Sequence, residues 1–201
     1  LAILLAATMA VGMTACGNGD GGSSSEPSSE PSQSQSEPAG DDLAEAQKVL
    51  KISGDNTEIK STGPNGETAT PATSLSLTDE EIQKIRDGGY KAGISFHYGG
   101  NDWSAAQLQG LTAAFNALGI EIVATTDADF SAEQQVADIE TIMAKNPDIL
   151  VSIPTDATAT ADAYQRAADA GAKIVFMDNI PAGFTAGENY ISCVSADNYG
   201  N

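Results

Sequence analysis

The sequence predicts an α/β domain, a doubly wound parallel sheet, preceded by a disordered tether. Three observations carry that prediction. From Tyr90 onward, short apolar runs alternate with amphipathic segments of helical period. Two of those helical segments stop at a glycine, Gly119 and Gly171, as helix ends prefer. Residues 17–40, by contrast, hold no aromatic and no β-branched side chain. Such a stretch cannot bury enough apolar surface to offset the entropy of ordering it.

Taken in order, residues 1–11 form an almost unbroken apolar run. The run is too short to span a bilayer and suits the hydrophobic region of a signal peptide. Met13-Thr14-Ala15-Cys16 follows it, and small residues before a single Cys resemble a bacterial lipobox. Met13 departs from the more usual Leu. The resemblance implies cleavage before Cys16 and a diacylglycerol on its thiol; two acyl chains suffice for stable anchoring. Residues 1–15 are then expected to be a signal peptide whose first few residues are missing, since the chain opens at Leu1 with no Met and no basic segment. Residues 16–40 are then the lipidated Cys and a Ser/Glu/Pro tether, kept soluble and extended by its composition. Residues 41–75 stay polar and rich in Gly and Thr, with one isolated helical spacing at Leu43, Ala46, Val49 and Leu50. No firm element is assigned there, and the stretch reads as a poorly structured linker.

Residues 76–201 change character. Thr78 with Glu81 three positions later matches a capping box, Ile82 and Ile85 share one face, and Gly88-Gly89 is the stop. Strands are expected over 90–96, 120–124, 148–153 and 173–177, with a fifth over 189–195. Helices are expected over 104–118, 132–145 and 158–170. The first turns Leu108, Leu111, Phe115 and Leu118 inward; the second turns Val136, Ile139, Ile142 and Met143 inward. The third strand is a near-continuous apolar run, as a strand buried on both faces requires. Cys193 reads as a small buried strand residue rather than half of a disulfide.

Right-handed crossovers place the carboxyl ends of all parallel strands at one rim, where ligands of such sheets bind. The rim residues are His97, Tyr98, Asn101, Asp102 and Trp103 after the first strand, and Asp127 after the second. Thr155 and Asp156 follow the third strand, and Asp178 and Asn179 the fourth. Carboxylates accept paired hydroxyl donors, and aromatic faces cover apolar C–H surfaces. A neutral, hydroxyl-rich solute fits, and a cationic one would too. Lys and Arg are absent from all four loops, so a phosphate does not fit. Each residue also has a plainer reading. Asp102 can cap the first helix, Thr155 or Asp156 the third. Trp103 can be a core residue at a helix start, and His97 a satisfied core side chain.

The charge balance agrees. Nine Lys and Arg stand against 28 Asp and Glu, a formal charge of −19. That field repels phosphate backbones and anionic headgroups, which argues against nucleic acid as partner; acidity for solubility is the plainer reading.

Residues 76–201 resemble the first lobe of type I periplasmic sugar-binding proteins, the ribose- and galactose-binding-like group. The resemblance rests on the order and spacing of short segments. These are Tyr90-Lys91-Ala92-Gly93-Ile94, Gln109-Gly110, Leu118-Gly119-Ile120-Glu121 and Gln134-Gln135. Pro147-Asp148-Ile149-Leu150, Ala170-Gly171-Ala172-Lys173 and Ser195-Ala196-Asp197-Asn198 continue the series. The resemblance implies two lobes hinged around a sugar or polyol, ABC permease subunits as partners, no cofactor, and an extracytoplasmic protein held to the membrane by its lipid. It also implies that a second lobe lies beyond Asn201. Many members carry Asp-Arg after the fourth strand. This chain has Asp178-Asn179, so the hydroxyl acceptor carries over and the Arg contact does not.

Other classes fit less well. A flavodoxin-like enzyme would need a Gly-rich phosphate loop, and Gly99-Gly100 is followed by Asn101-Asp102 instead. No catalytic triad order or metal-ligand spacing is present. A repressor effector domain would open on a helix-turn-helix where the lipobox stands. A receptor-coupled sensor for a small signalling molecule would share every feature above and is the alternative to transport.

Overall fold

The computed structural model describes residues 40–52, 62, 66 and 68–194, all within the unit Pro38–Asn201. The apolar run, Cys16, the tether up to Ala39 and the Ser195–Asn198 segment lie outside the described residues. Five α-helices and five strands are present among those described: α1 (Gly40–Leu50), α2 (Asp79–Asp87), β1 (Lys91–Phe96), α3 (Asp102–Ala117), β2 (Glu121–Asp127), α4 (Ala132–Met143), β3 (Ile149–Ser152), α5 (Ala161–Asp169), β4 (Lys173–Met177) and β5 (Ser192–Val194), with a short 3-10 turn at Ala72–Ser74. None of these helices is long and apolar enough to cross a membrane. All strand pairings in the sheet are parallel, in the order β2-β1-β3-β4-β5. The doubly wound expectation therefore holds.

Each strand is joined to the next by a helix up to β4, and the helices divide between two faces. On one face Ile139 and Ile142 of α4 and Ala163, Tyr164 and Ala167 of α5 pack with Leu150, Ile174 and Phe176. On the other, Phe115 of α3 meets Ala92, Ile94, Phe96, Val151 and Ile153, with Ile85, Leu108, Leu111 and Leu118 packed against them. Burial of each of the larger side chains here, Ile, Leu, Val and Phe, contributes about 1.5–3 kcal/mol. Gly93 has a steric role: a Cβ there would run into Cγ2 of Ile142, so its absence lets α4 lie close on β1. The Tyr164 hydroxyl is buried and bonded to Ser152 Oγ at 2.6 Å; burial pushes its pKa up, the bond to Ser152 only partly opposing.

Several boundaries differ from the sequence reading. Strand β2 runs to Asp127 instead of ending at 124, and α3 opens at Asp102 instead of 104, so Asp127, Asp102 and Trp103 stand on these elements rather than in the loops. Residues 41–75 contain α1, which seats Ala46 in a buried position against its neighbours. Two side-chain anchors hold it. Gln47 Nε2 donates to Leu77 O at 2.7 Å, and Arg86 Nη1 to Asp42 Oδ2 at 3.0 Å. The same guanidinium donates Nε and Nη2 to Ala117 O at 3.0 and 2.8 Å, capping the carboxyl end of α3. Helix α5 starts at Ala161 rather than Thr158, because Asp156 Oδ1 draws the Thr158 and Ala159 N–H groups into a turn at 2.8 and 2.7 Å. Strand β5 starts at Ser192 rather than Asn189. Asn189 is held in a turn instead, its N–H donating to Thr185 O at 3.1 Å and its Oδ1 accepting from Thr185 N at 3.0 Å. The capping box at Thr78 is present in both directions. Cys193 sits on β5, half-buried against the α4–α5 face.

Candidate functional site

The rim is built from the ends of β1 to β4. Backbone bonds lock the first two loops together: Ala128 N–H donates to Phe96 O at 3.0 Å and Phe130 N–H to His97 O at 2.7 Å. Asp129 and Phe130 both carry positive φ, 46° and 61°, a costly state for non-glycine residues that the surrounding structure must impose. The consequence is an aromatic cluster. Phe130, 60% exposed, stacks on Tyr98 at 4.6 Å and 15° and meets the His97 ring edge-on at 5.3 Å. Trp103 meets His97 edge-on at 6.5 Å. With Trp103 43% exposed, its reading as a core residue does not hold.

His97 stands between charges of one sign. Burial lowers its pKa below 6.5, and the attraction of Asp178 and Asp127 opposes that shift. The structure thus brings His97, Asp127 and Asp178, from three strand ends, into one electrostatic neighbourhood. Asp178 is held with φ 59°. Its N–H donates to Val194 O at 2.9 Å, while the next N–H, of Asn179, folds back to Met177 O at 2.7 Å in a γ-turn. Asn179 is exposed beyond it.

The remaining predicted residues do local work. Asn101, not Asp102, caps α3, accepting from Ser104 N at 2.8 Å; Asp102 lies in the first turn. Asp156 spends Oδ1 on its own loop, and those two backbone bonds hold its carboxyl below the usual range. Thr155 is fixed through its N–H, which donates at 2.7 Å to Oε1 of the fully buried Gln135.

Four buried side-chain polar atoms lack a hydrogen-bond partner among the described residues: His97 Nδ1, Thr126 Oγ1, Thr155 Oγ1 and Asp138 Oδ2. The first three belong to residues at the ends of β1, β2 and β3. Unsatisfied polar atoms are costly and rare in native proteins, and three of these four fall at one rim. No group of three or more metal-ligating side chains occurs among the described residues. Sequence reasoning missed Phe130, Thr126 and the role of Gln135. An aromatic placed directly past a strand end was the available signal for Phe130.

The periplasmic binding protein domain family matches residues 92–201, more than half of the chain. The chain belongs to that family. Periplasmic binding proteins are extracytoplasmic solute binders rather than enzymes. No curated protein matches. Among solved structures, an ABC transporter solute-binding protein from Mycobacterium smegmatis with bound glycerol is 24% identical, with a TM-score of 0.45, over 48% of this chain and 33% of its own. One from Agrobacterium vitis bound to α-D-tagatopyranose is 25% identical, with a TM-score of 0.49, over 54% and 39%. A sugar-binding protein of a Bacillus halodurans sugar ABC transporter is 25% identical, with a TM-score of 0.48, over 55% and 37%. This periplasmic binding protein chain therefore spans between 33% and 39% of the length of those proteins.

Proposed function

We propose that this periplasmic binding protein chain is the first lobe of a solute-binding lipoprotein. It contributes one wall of a site for a neutral sugar or polyol, delivered to an ABC permease. The observation that carries the ligand class is the chemistry of the rim. Carboxylates (Asp127, Asp178), unsatisfied hydroxyls (Thr126, Thr155) and exposed aromatics (Trp103, Phe130) converge there, without a Lys or Arg in the loops. Carboxylates take hydroxyl donors, hydroxyls complete the exchange, and aromatic faces cover sugar C–H surfaces. Asn101, Asp102, Asp156 and Asn179 stand at the same rim as further polar contacts, with His97 and Tyr98 in the aromatic wall. A second lobe closes over the solute and excludes water. The lipid on Cys16 and the acidic tether hold the protein at the membrane surface.

The test is thermal stabilisation of the protein at full natural length by D-ribose, D-galactose and myo-inositol, against ribose 5-phosphate and acetate. Stabilisation by at least one of the neutral compounds is expected. Stabilisation by the anions alone overturns the ligand class.

A further inference from the structure

Gln135 sits on α4, past the N-cap Ser131, and is fully buried. Its amide is spent on the end of β3. Nε2 donates to Ile153 O at 2.8 Å and lies 3.5 Å from Ser95 Oγ on β1, while Oε1 accepts from Thr155 N at 2.7 Å. One side chain thus holds the backbone on both sides of Pro154. Proline has no N–H to offer and its φ is fixed near one value, so little freedom is left between the two anchors. On the far side of Thr155, Asp156 ties the next turn through Thr158 and Ala159. The result is a rigid arm whose Thr155 hydroxyl is buried and has no partner among the described residues.

We infer that Gln135 is a positioning residue for solute binding: it clamps the Ile153–Pro154–Thr155 turn so that the orphaned Thr155 hydroxyl takes its hydrogen bond from the solute. The inference rests on the reading of the rim as a solute site. A buried amide costs desolvation unless fully bonded, and here both of its ends are bonded to backbone groups that would otherwise be orphans themselves. An apolar residue of equal size would keep the core filled and release the arm.

The experiment compares Gln135→Met with the parent at full natural length. Arg86→Ala, which loosens the domain where α1 and α3 meet α2, serves as the control for general destabilisation. Affinity is measured by titration calorimetry with D-ribose, D-galactose and myo-inositol, well below the melting temperature of each variant. Backbone amide exchange at Thr155 is read without solute. Expected is an affinity weakened about tenfold or more in Gln135→Met, as the loss of a fixed hydrogen bond implies, with Arg86→Ala within about twofold of the parent. Faster Thr155 exchange should accompany it in Gln135→Met alone. An affinity in Gln135→Met within about twofold of the parent overturns the assignment. If none of the three sugars binds the parent, the neutral-ligand reading falls. Thr155 exchange then decides the clamp: acceleration confined to Gln135→Met upholds it, and unchanged exchange overturns it. Should Gln135→Met fail to fold, Gln135→Leu, which likewise removes both the acceptor for Thr155 and the donor to Ile153, takes its place under the same criteria.

Discussion

At the residue scale, His97 shows how one side chain reports its surroundings. It is the one histidine in the chain. Burial lowers its pKa below 6.5, against the pull of Asp178 and Asp127, so the folded state resists protonation more than the unfolded chain does. The sign follows. Well above pH 6.5 the imidazole is neutral in both states and contributes nothing to pH dependence. As the pH falls through that value, the unfolded chain takes up its proton first and folding loses stability. Melting temperatures of the parent should therefore drop on going from about pH 8 to about pH 5, and His97→Gln should show a smaller drop over the same span. Identical slopes would mean that the imidazole titrates alike in both states.

Elements show a different economy, in which a few polar anchors secure what apolar packing alone leaves loose. Helix α1 buries Ala46 but exposes Val49, so its apolar contribution is small. Arg86 compensates by bonding Asp42 of α1 and the Ala117 carbonyl of α3 with one guanidinium, whose side chain is only 18% exposed. Its planar fork of donors suits that double task, which a lysine could not perform. Arg86→Ala should cost about 1.5–3 kcal/mol, the range for hydrogen bonds to charged groups, read as a shift in the urea midpoint. Limited proteolysis should then cut within α1 sooner than in the parent. An unchanged cleavage pattern would show that α1 is held by packing instead.

At the scale of the whole molecule, the charge of −19 and the N-terminal segment bear on where the protein works. A surface so acidic gains nothing from anionic headgroups, so membrane attachment needs a hydrophobic anchor. The anchor proposed is the diacylglycerol on Cys16, and two chains are enough to hold it. Cys16→Ser should move the protein from the membrane fraction to the soluble fraction or the medium, followed by immunoblot after cell fractionation. A Ser variant that stays with membranes would remove the lipid from the proposal.

The amino-acid sequence by itself determined the alternation of strands and helices, the parallel sheet and the rim that the strand ends share. These follow from hydrophobic period and from helix-stop residues, which act between near neighbours. It also marked His97 and Asp178 as rim residues, because the last position of their strands is readable from where the apolar run ends; β2 instead continues three residues past its apolar run and ends on Asp127 itself. What only the tertiary structure decided depends on groups far apart in the chain. Arg86 meets Ala117 and Asp42 across 31 and 44 positions, and Gln135 reaches Ile153 and Thr155 across 18 and 20. The left-handed backbone at Phe130 and Asp178 belongs to the same class, since neither residue adopts it by preference. Neighbouring loops and strand β5 hold both there through hydrogen bonds that no local pattern announces.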